Sequence, residues 1–578
     1  MRWMICSFFP RTSGFPRASA FLPREGESSA CPAVWPAPLR FCTGVLMVGL
    51  LCGGMYFWRL GDWPWDVDEL SSLEEMGLLD PTIRQPVLHP ESIVVRLPRL
   101  VPVWYTFQKG VLQWVPVNEW GCRLLSALCA IGAVMVLYGW AWRWRGPRFA
   151  AALALLAGGS LLLLWLAQQN RFYTMALLWL VLAEAAIWAR SKDWVWMVGA
   201  ILFTLLAVLT HNVAIVLFVL QAGVVLAGWA LGGVQLAVAL RAGLAGLLAA
   251  GVYLVHVRPI AGHWTGAGLT WAPPWASFTA HVGMPTLALA LLGSALALVG
   301  EKERRPMGVW AGLTLGVLLF VLLVPWLMPV WNPRYSLLWV LPVWVTGAWA
   351  VETVGAALVQ WATSSAGQPS GGLLGRIRPL LPGLLLVGWY GCVALLLVPK
   401  WASHWIDGTR HDYRQAAQWV VQFLEAKGAP AALPTHTGQT NLAAGPPWTE
   451  PTFSAGNPSS IGGMSNILSA KRAASVGGKP GGSAPPSVVP ILTNMELQMR
   501  YYLPQVLRSG CRYWTPGMPL PAGECVVVLG GNGWEGPLSL PDRTVRWLVL
   551  VGRRRFDELS HTVRIYWVGP RDPRLEAR

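Results

Sequence analysis

Residues 41–60 of the chain, FCTGVLMVGLLCGGMYFWRL, form an apolar run long enough to cross a bilayer as a helix, and WDVDEL follows at residues 65–70. Carboxylates beside a bilayer are costly unless they line a wet cavity and perform a task there. Asp66, Asp68 and Glu69 are therefore the first candidates for chemistry in a chain that we expect to be a membrane protein.

The composition of the 578-residue chain supports this expectation. Only 12% of the residues are charged and 54% are hydrophobic, whereas soluble domains carry about 25% charge. Long apolar runs recur up to about Pro399, and the residues after them contain more Gly, Pro, Ser and charge. The expected regions are a basic cytoplasmic segment (1–40), a transmembrane domain (41–400) with an outer loop (61–120), and an extracytoplasmic α/β domain (401–578) with a flexible insertion (435–490).

The arginines and lysines indicate how the chain is threaded. The net charge of +16 does not indicate nucleic-acid binding, because short cytoplasmic loops are enriched in Lys and Arg. About eleven spanning helices are expected, starting near Phe41, Gly121, Phe149, Phe172, Trp194, Val213, Arg241, Met284, Trp310, Ser336 and Leu380. The basic loops then share the cytoplasmic side with the N-terminus, and WDVDEL and the C-terminal domain lie outside.

Polar and aromatic residues recur at the helix ends on that outer side. They are Gln168, Asn170, Arg171 and Tyr173, then Thr210, His211 and Asn212, then Asn332, Arg334 and Tyr335. Arginine suits phosphate oxygens, and a carboxylate can accept the proton of an attacking hydroxyl. Each residue alone also has a simpler explanation, such as an interfacial anchor or a helix cap. Because all of them are expected on the same side of the membrane, together they favour a binding site for a lipid-phosphate-linked donor.

The order of these motifs resembles the GT-C superfamily of integral-membrane glycosyltransferases. Within it, the chain is most similar to the polyprenyl-phosphate-dependent group of protein O-mannosyltransferases and lipid A aminoarabinose transferases. The matching residues are Asp68-Glu69, Pro102, Trp104 and Tyr105, Arg123 to Leu128, Gln168 to Tyr173, Thr210-His211, Arg334-Tyr335 and a helix at Tyr413 to Leu424. The chain departs from the pattern at residues 98–102, where many members have His-Pro-Pro, and at Asn170.

The resemblance implies both a fold and a reaction. It implies an α-helical polytopic GT-C protein of the cytoplasmic (inner) membrane that moves a sugar from a polyprenyl-phosphate donor to an unidentified acceptor at the outer face. Asp68, with Glu69, would act as the base or orient the acceptor. The donor would be bound by Tyr105, Arg171, Tyr173, His211, Arg334 and Tyr335. No cofactor is expected, and Asp66 and Asp68 would be the ligands if a divalent metal were used.

Two alternatives stay open at this point. A lipid or sugar transporter or flippase would also have many spans, although such proteins show internal repeats and charges near the membrane midplane. A degenerate, non-catalytic member would explain the missing His-Pro-Pro. In the C-terminal domain, periodicity predicts helices at Tyr413–Ala426 and Met495–Leu503, and strands at Cys525–Leu529, Val545–Val551 and Val563–Val568.

Overall fold

The computed structural model describes most of the chain between residues 37 and 568. The described ranges are 37–79, 101–191, 193–261, 274–299, 305–327, 333–364, 380–398, 413–426, 489–493, 496–508, 511–513, 525–530, 545–551 and 563–568. The predictions for the basic segment before residue 37, for residues 80–100 of the outer loop and for nearly all of the 435–490 insertion lie outside these residues.

The part of the chain up to residue 395 is helical wherever it is described, apart from short turns. Its α-helices are α1 (Ala37–Phe57), α2 (Val67–Glu75), α3 (Pro102–Val111), α4 (Glu119–Arg145), α5 (Pro147–Gly158), α6 (Leu161–Ala167), α7 (Tyr173–Ile187), α8 (Trp194–Thr210), α9 (Ala214–Ala230), α10 (Leu236–Val252), α11 (Arg258–Ala261), α12 (Pro274–Val282), α13 (Met284–Val299), α14 (Arg305–Leu327), α15 (Ser336–Trp339), α16 (Leu341–Ser364) and α17 (Leu381–Leu395). A π-helical turn (Tyr253–Val257) follows α10, and a 3-10 turn (Pro333–Tyr335) precedes α15. By internal contacts, residues 1–44 and 45–578 form two units, and only the start of α1 is described in the first.

These helices make the chain a multi-pass membrane protein. Five of the described helices are long and apolar enough to cross a bilayer: Pro38–Phe57, Glu119–Arg145, Leu236–Val257, Pro306–Leu323 and Leu341–Ser364. Helices α5 and α6 form a further candidate, bent by 59°, and five shorter apolar helices have 10–17 residues. A helix begins close to each of the eleven predicted starting points. The count of eleven spans stays a prediction.

Arg190 and Arg241, two of the basic residues expected on the cytoplasmic side, bind helix ends at one end of the described helix bundle. Arg241 of α10 donates to the carbonyls of Ala186 and Ala189 at the end of α7, both at 2.8 Å. Arg190 donates to the carbonyl of Trp144 at the end of α4, at 3.2 Å. These carbonyls lie at the C-terminal ends of their helices, where the regular helical N–H donor is missing, so the guanidinium groups supply donors there. The loop helix α2 and the start of α7 lie at the other end of the bundle.

One close approach fixes the packing between α13 and α16. A Cβ atom at Gly293 would overlap the carbonyl oxygen of Thr346, so no larger residue fits without moving a helix. The two helices can approach closely because Gly293 has no side chain, as at many contacts between membrane helices.

The described residues of the C-terminal region form helices and a five-stranded sheet. The elements are α18 (Tyr413–Ala426), β1 (Ile491–Thr493), α19 (Glu496–Tyr502), α20 (Gln505–Arg508), β2 (Cys511–Tyr513), β3 (Cys525–Gly530), β4 (Val545–Val551) and β5 (Val563–Val568). The strand order is β2-β1-β3-β5-β4; the first three strands are parallel, and β5 pairs antiparallel with β3 and β4. Tyr413 and Val420 of α18 pack in one core with Ile491, Val526 and Ile565 of the sheet. The predicted elements coincide with α18, α19, β3, β4 and β5, whereas β1 and β2 were not predicted.

Candidate active site

The segment WDVDEL begins helix α2 through a capping box. Asp66 is the N-cap, and its side chain accepts a hydrogen bond from the backbone N–H of Asp68 at 3.3 Å. The Glu69 carboxylate in turn accepts the backbone N–H of Asp66 at 3.0 Å. This reciprocal pattern satisfies two of the N–H groups that a helix start leaves unpaired. The local sequence Asp-x-x-Glu therefore sets where α2 begins and how Asp68 is presented.

Glu69 is fully buried, and both of its carboxylate oxygens are occupied. Arg123 of α4 donates to them from Nε at 3.0 Å and from Nη2 at 3.1 Å, and the backbone N–H of Asn170 donates to Oε1 at 2.6 Å. Arg123 also donates to the carbonyls of Leu60 and Trp63, at 3.0 and 2.9 Å. A buried ion pair with this many partners holds the loop against α4. The structure thus places Glu69 beneath the loop helix and away from the groups that surround Asp68.

Asp68 lies on the open face of α2 with 38% of its side chain exposed. Its Oδ2 pairs with Arg334 Nη1, while Arg334 Nη2 lies 2.8 Å from Asp66 Oδ2. Arg171 Nη2 lies 3.9 Å from the same Asp68 oxygen. Burial would raise the pKa of Asp68, but the positive charges of Arg334 and Arg171 outweigh it and lower the pKa below its usual value. Asp68 is therefore a carboxylate at neutral pH.

The two arginines come from separate parts of the bundle. Arg171 precedes α7 and also donates to the carbonyl of Asp68 at 3.0 Å and to Ser72 Oγ at 2.8 Å. Arg334 lies in the 3-10 turn before α15, and its guanidinium stands 5.4 Å from the ring centre of Trp165 in α6. For Arg334, burial would lower the pKa, but Asp66 and Asp68 raise it above the usual value. Both guanidinium groups are positively charged and nearly buried beside the same carboxylate.

Aromatic rings pack together beside these arginines. The His211 ring, which follows α8, lies 5.1 Å from Tyr173 and 5.5 Å from Tyr335, both in edge-to-face geometry. Burial, helped by the charge of Arg171, lowers the pKa of His211 to about 3, so the ring is neutral. His211 Nε2 is buried and has no hydrogen-bond partner among the described residues. A neutral imidazole of this kind can donate or accept one further hydrogen bond.

A second carboxylate lies on the same face of α2. At about 100° per residue, Asp68, Ser72 and Glu75 share one face of a helix. Tyr105 of α3 donates its hydroxyl hydrogen to Glu75 Oε2, and Glu75 Oε1 is buried without a partner among the described residues. Burial raises the pKa of Glu75 to about 7, although Tyr105 and Arg171 act in the opposite direction.

The structure therefore brings almost all of the predicted site residues together. Asp68, Arg171, Tyr173, His211, Arg334 and Tyr335 form one cluster at one end of the bundle, and Tyr105 joins it through Glu75. Glu69 alone is directed elsewhere. The sequence reasoning missed Ser72 and Glu75, whose spacing of four and seven residues from Asp68 was the available signal.

A metal site at Asp66 and Asp68 has to compete with an arginine. Among the described residues, no three His, Cys, Asp or Glu side chains are grouped as metal ligands. The two carboxylates instead hold Arg334 between them, and Asp66 also caps α2. A divalent ion at these oxygens would have to displace the guanidinium.

The known proteins that this chain resembles are distant from it in sequence. The chain matches no protein-family model and no curated protein. Among solved structures it is similar to ArnT from Cupriavidus metallidurans in the apo state, with 11% identity, a TM-score of 0.46, and coverage of 92% of this chain and 98% of that one. The same protein bound to undecaprenyl phosphate matches with 13% identity, a TM-score of 0.42 and coverage of 92% and 97%.

A second similar structure is the oligosaccharyltransferase AglB from Archaeoglobus fulgidus in complex with an inhibitory peptide and a dolichol-phosphate. It matches with 13% identity and a TM-score of 0.43, over 67% of this chain and 58% of that chain. Both neighbours are GT-C glycosyltransferases, the superfamily that the sequence motifs resemble.

Proposed function

We propose that the chain is a membrane glycosyltransferase that moves a sugar from a polyprenyl-phosphate donor to an acceptor at the outer face of the cytoplasmic membrane. The observation that carries the proposal is the meeting of one partly exposed carboxylate, Asp68, with two nearly buried arginines, Arg171 and Arg334. A phosphate leaving group needs positive charge, and an acceptor hydroxyl needs a proton acceptor. The cluster offers both beside each other.

In the proposed reaction, the acceptor hydroxyl attacks the anomeric carbon of the donor sugar. The bond between this carbon and the acceptor oxygen forms while the bond to the phosphate oxygen breaks, so the anomeric configuration inverts. The hydroxyl proton passes to the Asp68 carboxylate, and the bonding electron pair leaves on the phosphate. Because its lowered pKa makes Asp68 a weak base, its main contribution is to orient the hydroxyl and accept the proton late in the step.

The arginines would take up the charge of the leaving phosphate. Guanidinium groups present paired N–H donors that match phosphate oxygens, and both arginines are held in place by aromatic rings and carboxylates. His211 supplies a neutral ring with an open nitrogen, and Tyr173 and Tyr335 pack beside it. We assign Glu69 the role of positioning the loop in place of a catalytic role, since its oxygens are occupied by Arg123 and Asn170.

The proposed reaction needs no cofactor. Arg334 already stands between Asp66 and Asp68, where a divalent ion would bind, and it supplies the positive charge that such an ion would bring. We therefore expect transfer to continue in the presence of a chelator.

The phosphate contact can be tested without knowing the sugar or the acceptor. Binding of undecaprenyl phosphate to the purified protein is measured by native mass spectrometry or thermal shift, with the uncharged undecaprenol as the comparison. We expect the phosphate to bind at least about tenfold more tightly than the alcohol, because two charge-assisted contacts are added. Arg334→Gln should remove most of this preference. Arg190→Gln, at the opposite end of the bundle, is the matched control and should retain it.

Equal affinity for the phosphate and the alcohol would contradict the proposal. Transfer itself is detected as a mass shift in an acceptor pool, comparing cells with and without the protein. A transporter or flippase would move the lipid-linked sugar across reconstituted vesicles and produce no glycosylated acceptor.

A further inference from the structure

The C-terminal region contacts the membrane region at the base of the loop helix. The hydroxyl oxygen of Tyr502, at the end of α19, accepts the backbone N–H of Trp65 at 2.6 Å. The same hydroxyl donates to Glu119 Oε1 at 3.3 Å. Trp65 is the residue directly before Asp66, the N-cap of α2. A tyrosine that is distant in sequence therefore holds the backbone one residue before the site carboxylates.

An ion pair reinforces this contact. Arg414 of α18 places Nη2 2.6 Å from Glu119 Oε1, and its guanidinium lies 5.5 Å from the ring centre of Tyr502. Glu119 is the first residue of α4, and Arg123, one turn later, holds Glu69. Helices α18 and α19 thus both bind the Glu119 carboxylate at the start of α4. This carboxylate lies one helical turn from Arg123, which forms the buried ion pair with Glu69.

Apolar packing follows the same route. The ring of Tyr501 meets Trp65 edge-on, with ring centres 5.8 Å apart. Tyr501 and Tyr502 pack against a small core that includes Trp65, Leu70 and Leu73. Leu70 and Leu73 lie on the face of α2 opposite Asp68, Ser72 and Glu75 by helical spacing. The C-terminal region therefore packs on the face of α2 opposite the face that carries Asp68, Ser72 and Glu75.

We propose that the C-terminal region positions the site: α19 and α18, through Tyr502 and Arg414, hold the Trp65–Asp66 backbone and so fix the carboxylates of Asp66 and Asp68 against Arg334. This inference rests on the proposed function for the statement that Asp68 takes part in chemistry. Tyr502 and Arg414 are positioning residues in this scheme and do not touch a substrate. A displacement at Trp65 reaches Asp68 directly, since Asp66 both caps Asp68 and shares Arg334 with it.

Hydrogen exchange measures the positioning without any assumption about activity. Tyr502→Phe keeps the ring and its packing but removes both hydrogen bonds of the hydroxyl. In the full-length protein in detergent, we expect amide exchange in peptides covering residues 65–70 to become at least about tenfold faster, because a held backbone N–H becomes open to solvent. Arg500→Lys is the matched control on the same helix; Arg500 donates to the Cys511 carbonyl in the sheet, and its replacement should leave that exchange unchanged.

Kinetics give the second readout. We expect Tyr502→Phe to lower kcat about tenfold while KM for the lipid donor changes less than twofold, because small misplacements of reacting groups cost rate more than binding. The acidic limb of the pH–rate profile should also move to higher pH, as Asp68 loses part of its fixed pairing with Arg334. Arg414→Gln should show the same pattern, and Arg414→Lys should restore most of the rate.

The outcomes separate the two proposals. Unchanged exchange at residues 65–70 in Tyr502→Phe overturns the positioning role, and so does faster exchange with an unaltered kcat and pH profile. Absence of sugar transfer by the wild-type protein contradicts the proposed function alone, and the exchange rates then still decide whether α19 holds the Asp66–Asp68 segment.

Discussion

The two sides of helix α2 hold neighbouring acidic residues in opposite ways. Glu69 is fully buried and receives hydrogen bonds from Arg123 and the backbone of Asn170. Asp68, the preceding residue, is 38% exposed and faces two arginines that also have other partners. Both residues belong to ion pairs, but only Asp68 can exchange its partner for a substrate without opening the core. Both residues form ion pairs, so an ion pair alone does not identify the reactive residue. What distinguishes Asp68 is a partly exposed side chain beside arginines that could bind a substrate instead.

The largest effect is expected from Asp68→Asn. The amide keeps the shape of the side chain and can still accept from Arg334, but it cannot take a proton. We expect sugar transfer to fall by about 10³-fold, within the range typical of general bases, while Tm changes little because the side chain is partly exposed. The measurement is product formation by the purified variant beside its Tm. Near wild-type transfer would remove Asp68 from the mechanism, and a large loss of Tm would remove the contrast with Glu69.

The reverse pattern is expected from Glu69→Gln. The change leaves the Arg123 guanidinium buried without a counter-charge, which typically costs about 3–5 kcal/mol. We expect the free energy of unfolding to fall by about 3 kcal/mol, measured by denaturant titration in mixed micelles. The double variant Glu69→Gln/Arg123→Met, which removes both charges, is the control and should recover part of the loss. If the single variant unfolds like the wild type, the pair does not hold the loop.

The sequence predicts much of this arrangement because its signals are local. The sidedness of the basic loops and the polar helix ends place Arg171, His211 and Arg334 at one end of the bundle, and the structure brings them to Asp68. The capping pattern at Asp66 and Glu69 is also visible in the sequence. Nothing local distinguishes Asp68 from Glu69, however, because the difference depends on Arg123 lying under one face of α2.

Other features of the structure leave no signal in the sequence, for physical reasons. The bond between Trp65 and Tyr502 joins residues 437 positions apart, and no periodicity reports such a contact. Strands β1 and β2 have only three residues each, which is too short for an alternating pattern. The break between α5 and α6 lies in a continuous apolar run that predicts one straight span. Glu75 and Ser72 align with Asp68 only once the start of α2 is known.

The smallest expected effect concerns Glu75 and depends on pH. Burial raises the pKa of Glu75 from about 4.5 to about 7, so the folded protein binds this proton more tightly than the unfolded chain does. The resulting stabilisation is complete below pH 4.5 and is lost as the pH rises through 7. Glu75→Gln has no such proton and can still accept the Tyr105 hydroxyl hydrogen. We expect the variant to gain stability relative to the wild type between pH 5 and pH 8, by about 2 kcal/mol once partial solvent screening is included.

This difference is measured as the free energy of unfolding of both proteins at intervals across that pH range. Glu425→Gln, an exposed glutamate on α18, is the matched control and should follow the wild-type curve. A pH-independent difference between Glu75→Gln and the wild type would show that Glu75 keeps its charge in the folded state. It would then belong with Asp68 among the carboxylates held ionised by Arg171, and the face of α2 that carries Asp68 would have two full negative charges at neutral pH, where we expect Glu75 to be only partly ionised.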